Sequence, residues 1–212
     1  MMKFPERVTL DSQYIDVVPL DPAAHGGALF EATSGSAHDG LWTYLPAGPF
    51  RDRESFDRYL QANAASGESV FFTVMDRARA CPAGYASFMR IVPAHGVLEV
   101  GHILYTPALQ RTRGGTEAMY LMARHAFEDL GCRRYEWKCD ALNEPSQAAA
   151  LRYGFTFEGI FRQHMIVKGR NRDTAWYSML DREWPARKAA FERWLEPANF
   201  DAAGRQKTRL NG

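Results

Sequence analysis

Residues 97–116 constrain the fold more than any other stretch of this chain. A strand-like apolar run over residues 97–105 leads into a basic turn at 110–116 that contains two glycines, and a helix is predicted over 117–130. The first N–H groups of a helix lack intrahelical partners and carry partial positive charge. Glycines let the backbone approach a ligand closely, and the two arginines of the turn neutralise negative charge. The stretch therefore predicts a binding site for a polyphosphate at a helix N-terminus.

The composition narrows the class of protein. A chain of 212 residues that is 46% hydrophobic can bury one substantial core, and its net charge of +1 gives no overall field toward nucleic acid or an anionic membrane. Three cysteines without a CxxC pair favour a reducing compartment, and the six histidines show no metal-ligand spacing. No signal pattern or run of membrane-spanning length is evident. We therefore expect a cytoplasmic protein without nucleic acid, membrane or metal partners.

The periodicity of apolar residues predicts a mixed α/β (α+β) fold with a single crossover unit. One domain is expected over residues 1–184, followed by a C-terminal helix and polar tail over 185–212, with residues 196–212 frayed. The predicted elements are strands at 7–18, 70–75, 83–91, 97–105, 134–140, 155–167 and 174–180, and helices at 23–32, 53–65, 117–130, 143–153 and 184–195.

Four groups of residues carry a family resemblance. They are the turn QRTRGGTEA, then Asn143, Ser146 and the pair Gly154-Phe155 at the appropriate spacing. Together they resemble the GNAT superfamily of acetyl-CoA-dependent N-acetyltransferases, and most closely its RimJ/RimL-like branch. The resemblance runs from the first strand to about residue 184.

The signature turn fits the family pattern in two registers. In the preferred register Gln110 comes first and Gly115 last, and Arg113 stands where the family usually has glycine. A shift of one residue would instead use Arg111, Gly114 and Thr116.

The resemblance implies a mostly antiparallel twisted sheet flanked by helices, whose central strands 97–105 and 134–140 splay apart. The pantetheine arm of coenzyme A would lie in that opening, and its pyrophosphate would lie on the turn. An amine would then attack the thioester directly, with no metal and no covalent enzyme intermediate. The residues implied to bind the cofactor are Ile103, Leu104, Tyr105, Gln110, Arg111, Thr112, Arg113, Gly114, Gly115, Thr116, Asn143 and Ser146.

Three residues are candidates for catalysis. Ser146 matches a serine that lies near the sulfur in the ribosomal-protein branch, and the alternative role for it is to cap a helix. Glu99 and His102 are the candidates for the general base, although strand alternation places them on opposite faces unless a bulge intervenes. His164 and Glu158 remain open as bases, whereas Glu117 and Tyr153 are expected to be structural.

The acceptor side of the pocket is assigned to Trp42 and Tyr44, which are large aromatic residues in a segment rich in Gly, Ser and Pro. The expected activity is acetyl transfer to a primary amine, either a protein N-terminus or a small molecule, and the branch resemblance implies a homodimer. Two alternatives remain open: a non-catalytic acyl-CoA-binding or sensor module, and a general nucleotide-phosphate binder. The second is weaker because no Gly-Lys-Ser/Thr follows the turn.

Overall fold

A computed structural model describes residues 2–211. It contains one sheet of eight strands in the order β1-β2-β3-β4-β5-β6-β8-β7. The strands are β1 Leu10–Asp11, β2 Ile15–Pro19, β3 Val70–Asp76, β4 Cys81–Val92, β5 Val97–Tyr105, β6 Arg134–Asp140, β7 Thr156–Val167 and β8 Arg170–Leu180. The helices are α1 Pro22–Thr33, α2 Arg53–Ala64, α3 Arg113–Arg124, α4 Glu144–Arg152 and α5 Trp184–Leu195, with shorter helical turns at Ser36–Trp42, Pro93–His95, His125–Asp129 and Pro197–Asn199.

The centre of the sheet opens between β5 and β6. These are the two parallel neighbours, and they pair only from Val97 with Arg134 to Val100 with Trp137. Beyond Val100 the two strands diverge, while β5 stays paired to β4 as far as Tyr105. The other pairs of neighbouring strands within residues 2–211 are antiparallel. The predicted mixed sheet with splayed central strands is confirmed.

The sheet is covered on both faces, so the opening lies between two cores. One face packs against α3 and α5 and buries Leu98, Val100 and Tyr135. The other face packs against α1, α2 and the turn Ser36–Trp42, and it buries Tyr85 and Leu104. A ligand in the opening can therefore reach both faces of the sheet.

Helix α3 begins at Arg113, four residues before the predicted start. Thr112 is its N-cap, because the hydroxyl oxygen of Thr112 accepts a hydrogen bond from the amide of Gly115 at 3.1 Å. Both glycines of the basic turn therefore belong to the first turn of the helix rather than to the loop before it. Gly131 follows the helical stretch with a φ of 74°, the left-handed conformation that commonly ends a helix.

The segment after α5 is packed, which corrects the expectation that residues 196–212 fray; residue 212 lies outside the described range. Phe200 and Leu210 are buried in the same core as the strands. The Trp194 indole donates a hydrogen bond to the side-chain oxygen of Gln206 at 2.9 Å. The prediction of fraying was based on the polar composition of the segment. It was wrong because a few apolar side chains hold the segment against α3 and α5.

Candidate active site

A cleft of about 1440 Å³ occupies the opening between β5 and β6. We call its two ends the helix half and the hairpin half. The helix half is lined by the start of α3, by α4 and by residues 194–206, and the hairpin half by β7, β8 and residues 37–46. Strand β5 runs through both halves and contributes each residue from Glu99 to Tyr105.

The basic turn leaves backbone amides free at the helix half. The amides of Arg111, Arg113 and Gly114 have no acceptor among residues 2–211, whereas the amide of Gly115 is capped by Thr112. Arg111 adopts a φ of 59°, which reverses the chain just before the helix. Three free amides at a helix N-terminus are the donors that a phosphate requires.

The two glycines of α3 are required by packing rather than by access to a ligand. A Cβ atom on Gly115 would lie 2.8 Å from the carbonyl oxygen of Leu109 and 3.2 Å from the ring of Tyr105. A Cβ atom on Gly114 would lie 2.8 Å from a methyl carbon of Ile15. Gly115 lines the cleft and Gly114 does not. Gly114 is therefore a packing residue of α3 and not part of the cleft wall.

Arg113 replaces glycine in the preferred register without filling the cleft. Its guanidinium carbon lies 4.5 Å from the ring centroid of Tyr14 and 3.5 Å from that of Phe200, and it donates a hydrogen bond to the Tyr14 hydroxyl. Two aromatic faces thus hold the cation at the edge of the helix half.

Arg152 adds a second held cation that sequence reasoning missed. It donates to the Thr116 hydroxyl at 3.0 Å, and its guanidinium carbon lies 4.8 Å from the ring centroid of Trp194. No ion pair within residues 2–211 involves Arg111, Arg113 or Arg152. The guanidinium groups of Arg111, Arg113 and Arg152 therefore lie beside the free amides of the helix half without a paired carboxylate.

Gln110 fixes the turn to the end of β5. Its side-chain amide donates to the carbonyl of Tyr105 at 3.0 Å, and the Tyr105 hydroxyl donates to the carbonyl of Gly115 at 3.1 Å. Ile103 and Leu104 line the cleft on the stretch of β5 that β6 does not pair. That edge of β5 is open to an extended ligand, as the resemblance implied.

Ser146 lies inside the first turn of α4 and does not cap it. The cap is Asn143, whose side-chain oxygen accepts the amide of Ser146 at 3.1 Å. The Ser146 hydroxyl oxygen instead accepts a hydrogen bond from the indole of Trp137 at 3.0 Å. Both Asn143 and Ser146 line the cleft. The Ser146 hydroxyl proton is thereby available to a group in the cleft.

A β-bulge brings Glu99 and His102 to the same cleft. Ser87 pairs with Gly101 while Tyr85 pairs with Leu104, so β5 carries one extra residue at this point. That residue is His102, with a φ of 49°. The bulge cancels the alternation that would have separated the two candidate bases, and both line the cleft.

His102 is held in the neutral state that a base requires. Its Nδ1 atom lies 2.9 Å from the Ser87 hydroxyl, and its ring stacks on Phe71 with centroids 5.0 Å apart. Burial lowers the pKa of His102, and the nearby positive charge of Arg90 lowers it further. The imidazole is therefore unprotonated near neutral pH.

Glu99 is committed to ion pairs. This carboxylate is 4% exposed and lies 3.0 Å from the Lys138 ammonium and 3.2 Å from the Arg90 guanidinium. Lys138 also contacts Glu136 at 2.6 Å. Burial raises the pKa of Glu99, against the opposing effect of Lys138. Of the two candidates, His102 has the freer proton acceptor.

The two remaining candidate bases, both on β7, differ in their position relative to the cleft. His164 lines the cleft, with Nδ1 2.9 Å from the Thr174 hydroxyl. Glu158 does not line it, because Arg134 binds both carboxylate oxygens of Glu158 at 2.8 and 2.5 Å. His164 thus belongs to the hairpin half and Glu158 to the surface of the sheet.

Glu117 and Tyr153 have structural contacts, as expected. The Glu117 carboxylate accepts the Ser12 hydroxyl at 2.7 Å and the amides of Tyr14 and Ile15 at 2.9 and 3.1 Å. It therefore holds the turn between β1 and β2. The Tyr153 ring stacks on Phe191 with centroids 6.1 Å apart, and Tyr153 also lines the cleft.

Trp42 lies outside the cleft, which corrects its predicted place on the acceptor side. The side chain is 1% exposed, and its indole donates to the carbonyl of Thr33 at 2.9 Å within an aromatic cluster that includes Phe50 and Phe56. Tyr44 does line the cleft, and its hydroxyl donates to the carbonyl of Leu142 at 2.9 Å. Size and aromaticity did not separate the two residues; only Tyr44 has a polar group directed across the cleft mouth.

Residues 2–211 contain neither a metal-binding cluster nor a membrane-spanning helix. No group of three or more His, Cys, Asp or Glu side chains there could hold a metal ion. None of the described helices is both long enough and apolar enough to span a membrane.

Known proteins with a similar sequence and fold are acetyltransferases of one family. A family model described as an acetyltransferase (GNAT) domain matches residues 19–156. The crystal structure of a GCN5-related N-acetyltransferase from Brucella melitensis is 47% identical with a TM-score of 0.97, covering 99% of this chain and 95% of that one. A GNAT-family acetyltransferase structure from Chromobacterium violaceum is 41% identical with a TM-score of 0.81, covering 87% and 91%.

A curated relative, YdaF of Bacillus subtilis, has a name that describes a ribosomal N-acetyltransferase. It is 37% identical over 73 residues, which are 34% of this chain and 40% of the relative. This likeness supports the RimJ/RimL-like branch. The family model covers more than half of the chain, and the Brucella structure matches nearly its whole length. The chain therefore belongs to the GNAT acetyltransferase family.

Proposed function

We propose that this protein transfers an acetyl group from acetyl-CoA to a primary amine by direct attack of the amine on the thioester. The observation that carries the proposal is the continuity of the cleft. It runs from the free amides and three guanidinium groups of the helix half, past Ser146, to His102 on the other side of the sheet opening. A cofactor with an anionic end and a reactive end fits that arrangement.

The residues present fit coenzyme A, which the family uses. The amides of Arg111 and Arg113 would bind the pyrophosphate, and the guanidinium groups of Arg113 and Arg152 would neutralise it. The open edge of β5 at residues 103–105 would hydrogen-bond the pantetheine arm as an added strand does.

His102 and Ser146 supply the proton transfers of the reaction. The amine nitrogen forms a bond to the thioester carbonyl carbon and loses a proton to His102 as the carbon–sulfur bond breaks. The departing thiolate takes a proton from Ser146, whose hydroxyl oxygen is oriented by Trp137 and which regains a proton from solvent as the products leave the cleft. Positioning of the two substrates supplies much of the remaining acceleration.

Arg113 in the signature turn favours the non-catalytic alternative only if its side chain closes the cleft. Its guanidinium is held at the edge of the helix half by Tyr14 and Phe200, so the departure from glycine leaves the cleft open. The acceptor is either a protein N-terminus, which the name of the Bacillus relative favours, or a small molecule.

Homodimer formation and a cytoplasmic location remain proposals. Edge strand β7 exposes four large apolar side chains, which favours a contact between copies: Phe157, Ile160, Phe161 and Ile166.

The test is acetyl-CoA consumption with a panel of primary amines, with calorimetric binding of coenzyme A to the same preparation. We expect binding of coenzyme A and transfer to at least one amine. Binding without transfer to any amine or N-terminal peptide would favour the non-catalytic module. Absence of coenzyme A binding would contradict both.

A further inference from the structure

Arg172 is a cation of the hairpin half that the reaction above does not use. It lines the cleft from β8, and its Nε atom donates to the Thr174 hydroxyl at 3.1 Å. Thr174 has no exposed surface and also contacts Nδ1 of His164 at 2.9 Å. The buried threonine thus fixes the direction of the guanidinium and leaves its terminal N–H groups unused.

The other charges of this half compensate one another. Glu99 lies between Lys138 and Arg90 at 3.0 and 3.2 Å, and Lys138 is also paired with Glu136 at 2.6 Å. Glu136 also pairs with Arg134 at 2.6 Å, and Arg134 pairs with Glu158 at 2.5 Å, so the network contains three cations and three carboxylates. The remaining carboxylate on the cleft wall, Asp140, accepts the amide of Leu142 at 2.9 Å.

Arg172 has no such compensation. Among the described ion pairs of the chain none involves it. Burial lowers the pKa of the neighbouring His164, and the positive charges of Arg90, Arg172 and Lys138 lower it further. Arg172 is therefore free to bind an anionic group of the acceptor.

We propose that the acceptor is a primary amine that also carries a carboxylate, and that Arg172 binds this carboxylate. The inference rests on the proposed acetyl transfer, and it names the acceptor class. A planar guanidinium matches a carboxylate in a two-point contact, and the anchor on Thr174 reduces the entropy lost on binding. The carboxylate can come from a free amino acid or from an acidic residue next to a peptide N-terminus.

The experiment compares matched acceptors that differ only in the carboxylate. Initial rates with acetyl-CoA are measured for β-alanine and its amide, and for the C-terminally amidated dipeptides alanyl-aspartate and alanyl-asparagine. Each pair is run with the natural protein, R172Q, R172K and the control R170Q. Arg170 is exposed on the same hairpin and does not line the cleft.

We expect the carboxylate-bearing acceptor of one pair to have a higher kcat/KM than its amide. A preference for β-alanine would identify a free amino acid as the source of the carboxylate, and a preference for alanyl-aspartate would identify a peptide N-terminus. R172Q should reduce that preference about tenfold or more, R172K should lose most of it, and R170Q should keep it. The ratio of kcat/KM for the two members of a pair is compared between variants, because the intrinsic reactivity of each amine is the same in all of them. A preference for the amide in both pairs, or a carboxylate preference that R172Q leaves unchanged, would overturn the proposal.

Calorimetry on the protein with bound coenzyme A keeps this inference separate from the proposed activity. If no amine is acetylated, acetyl transfer fails as the function. Binding of the carboxylate member that R172Q abolishes would still support the role of Arg172. Equal binding of the two members would overturn that role.

Discussion

The Nδ1 atom of His102 lies 2.9 Å from the hydroxyl oxygen of Ser87, which lies 3.3 Å from the carbonyl of Gly101. When Ser87 donates its proton to that carbonyl, it can only accept from His102. Nδ1 then carries the imidazole proton, and Nε2 keeps the lone pair that a general base needs. The bulge that turns His102 into the cleft therefore also places it beside the group that selects its tautomer.

The pH dependence of turnover should report His102. Since burial and Arg90 lower the pKa of His102 below its ordinary value of 6.5, the acid limb of kcat should lie below that pH. Activity should be full above the limb and fall as His102 becomes protonated. The profile of kcat at saturating substrates measures this, and the limb should be absent from any residual activity of H102Q. A limb above pH 6.5 that H102Q retains would assign the base elsewhere.

Replacing Ser146 by alanine should lower kcat about 100-fold, because the thiolate then leaves without a proton donor. Coenzyme A affinity and thermal stability should change little, since Asn143 caps α4. The matched control is Asn143→Ala, which should reduce the free energy of unfolding by about 1 kcal/mol through loss of the cap. An S146A enzyme with full kcat would leave Ser146 only as a partner of Trp137.

Changing Arg113 to glutamine should weaken coenzyme A binding about tenfold, as expected for loss of a charge-assisted contact to phosphate. Calorimetry measures the dissociation constant, and the loss should shrink at high salt. Arg193 is the control, because it is exposed on α5 and does not line the cleft. If R113Q and R193Q bind coenzyme A equally well, Arg113 serves only to hold Phe200 and Tyr14 together.

Gly115→Val should raise the KM for acetyl-CoA more than the KM for the amine. The added side chain would press on the carbonyl of Leu109 and the ring of Tyr105, which would displace the turn that presents the amides. Gly114→Val should mainly lower stability, because its new side chain meets Ile15 in the core. Steady-state kinetics and thermal unfolding of both variants separate the two effects. An equal rise in both KM values for G115V would contradict its place beside the cofactor.

The sequence predicted those parts of the site that depend on local order. The turn before α3 and the helix start at Asn143 follow from residues that are neighbours in the chain, although the sequence offered Ser146 as the possible cap and the structure has Asn143 in that role. The splayed strands followed from the family resemblance.

Other parts depend on contacts that spacing cannot show. The bulge at His102 requires a left-handed backbone in a residue other than glycine. Arg113 meets Phe200 only because the C-terminal segment folds back onto α3. Trp42 and Tyr44 look alike in sequence, and packing alone makes one a core residue and the other part of the cleft wall.

The most direct test of acetyl transfer is a single-turnover experiment with acetyl-CoA that carries a ¹³C-labelled acetyl group. The protein, the labelled cofactor and the amine panel are mixed, and mass spectrometry follows both the amine and free coenzyme A. The account predicts an acetyl-amine product that appears in step with coenzyme A and is strongly reduced in H102Q. Release of labelled acetate without any acetylated amine, or a product yield unaffected by H102Q, would contradict it.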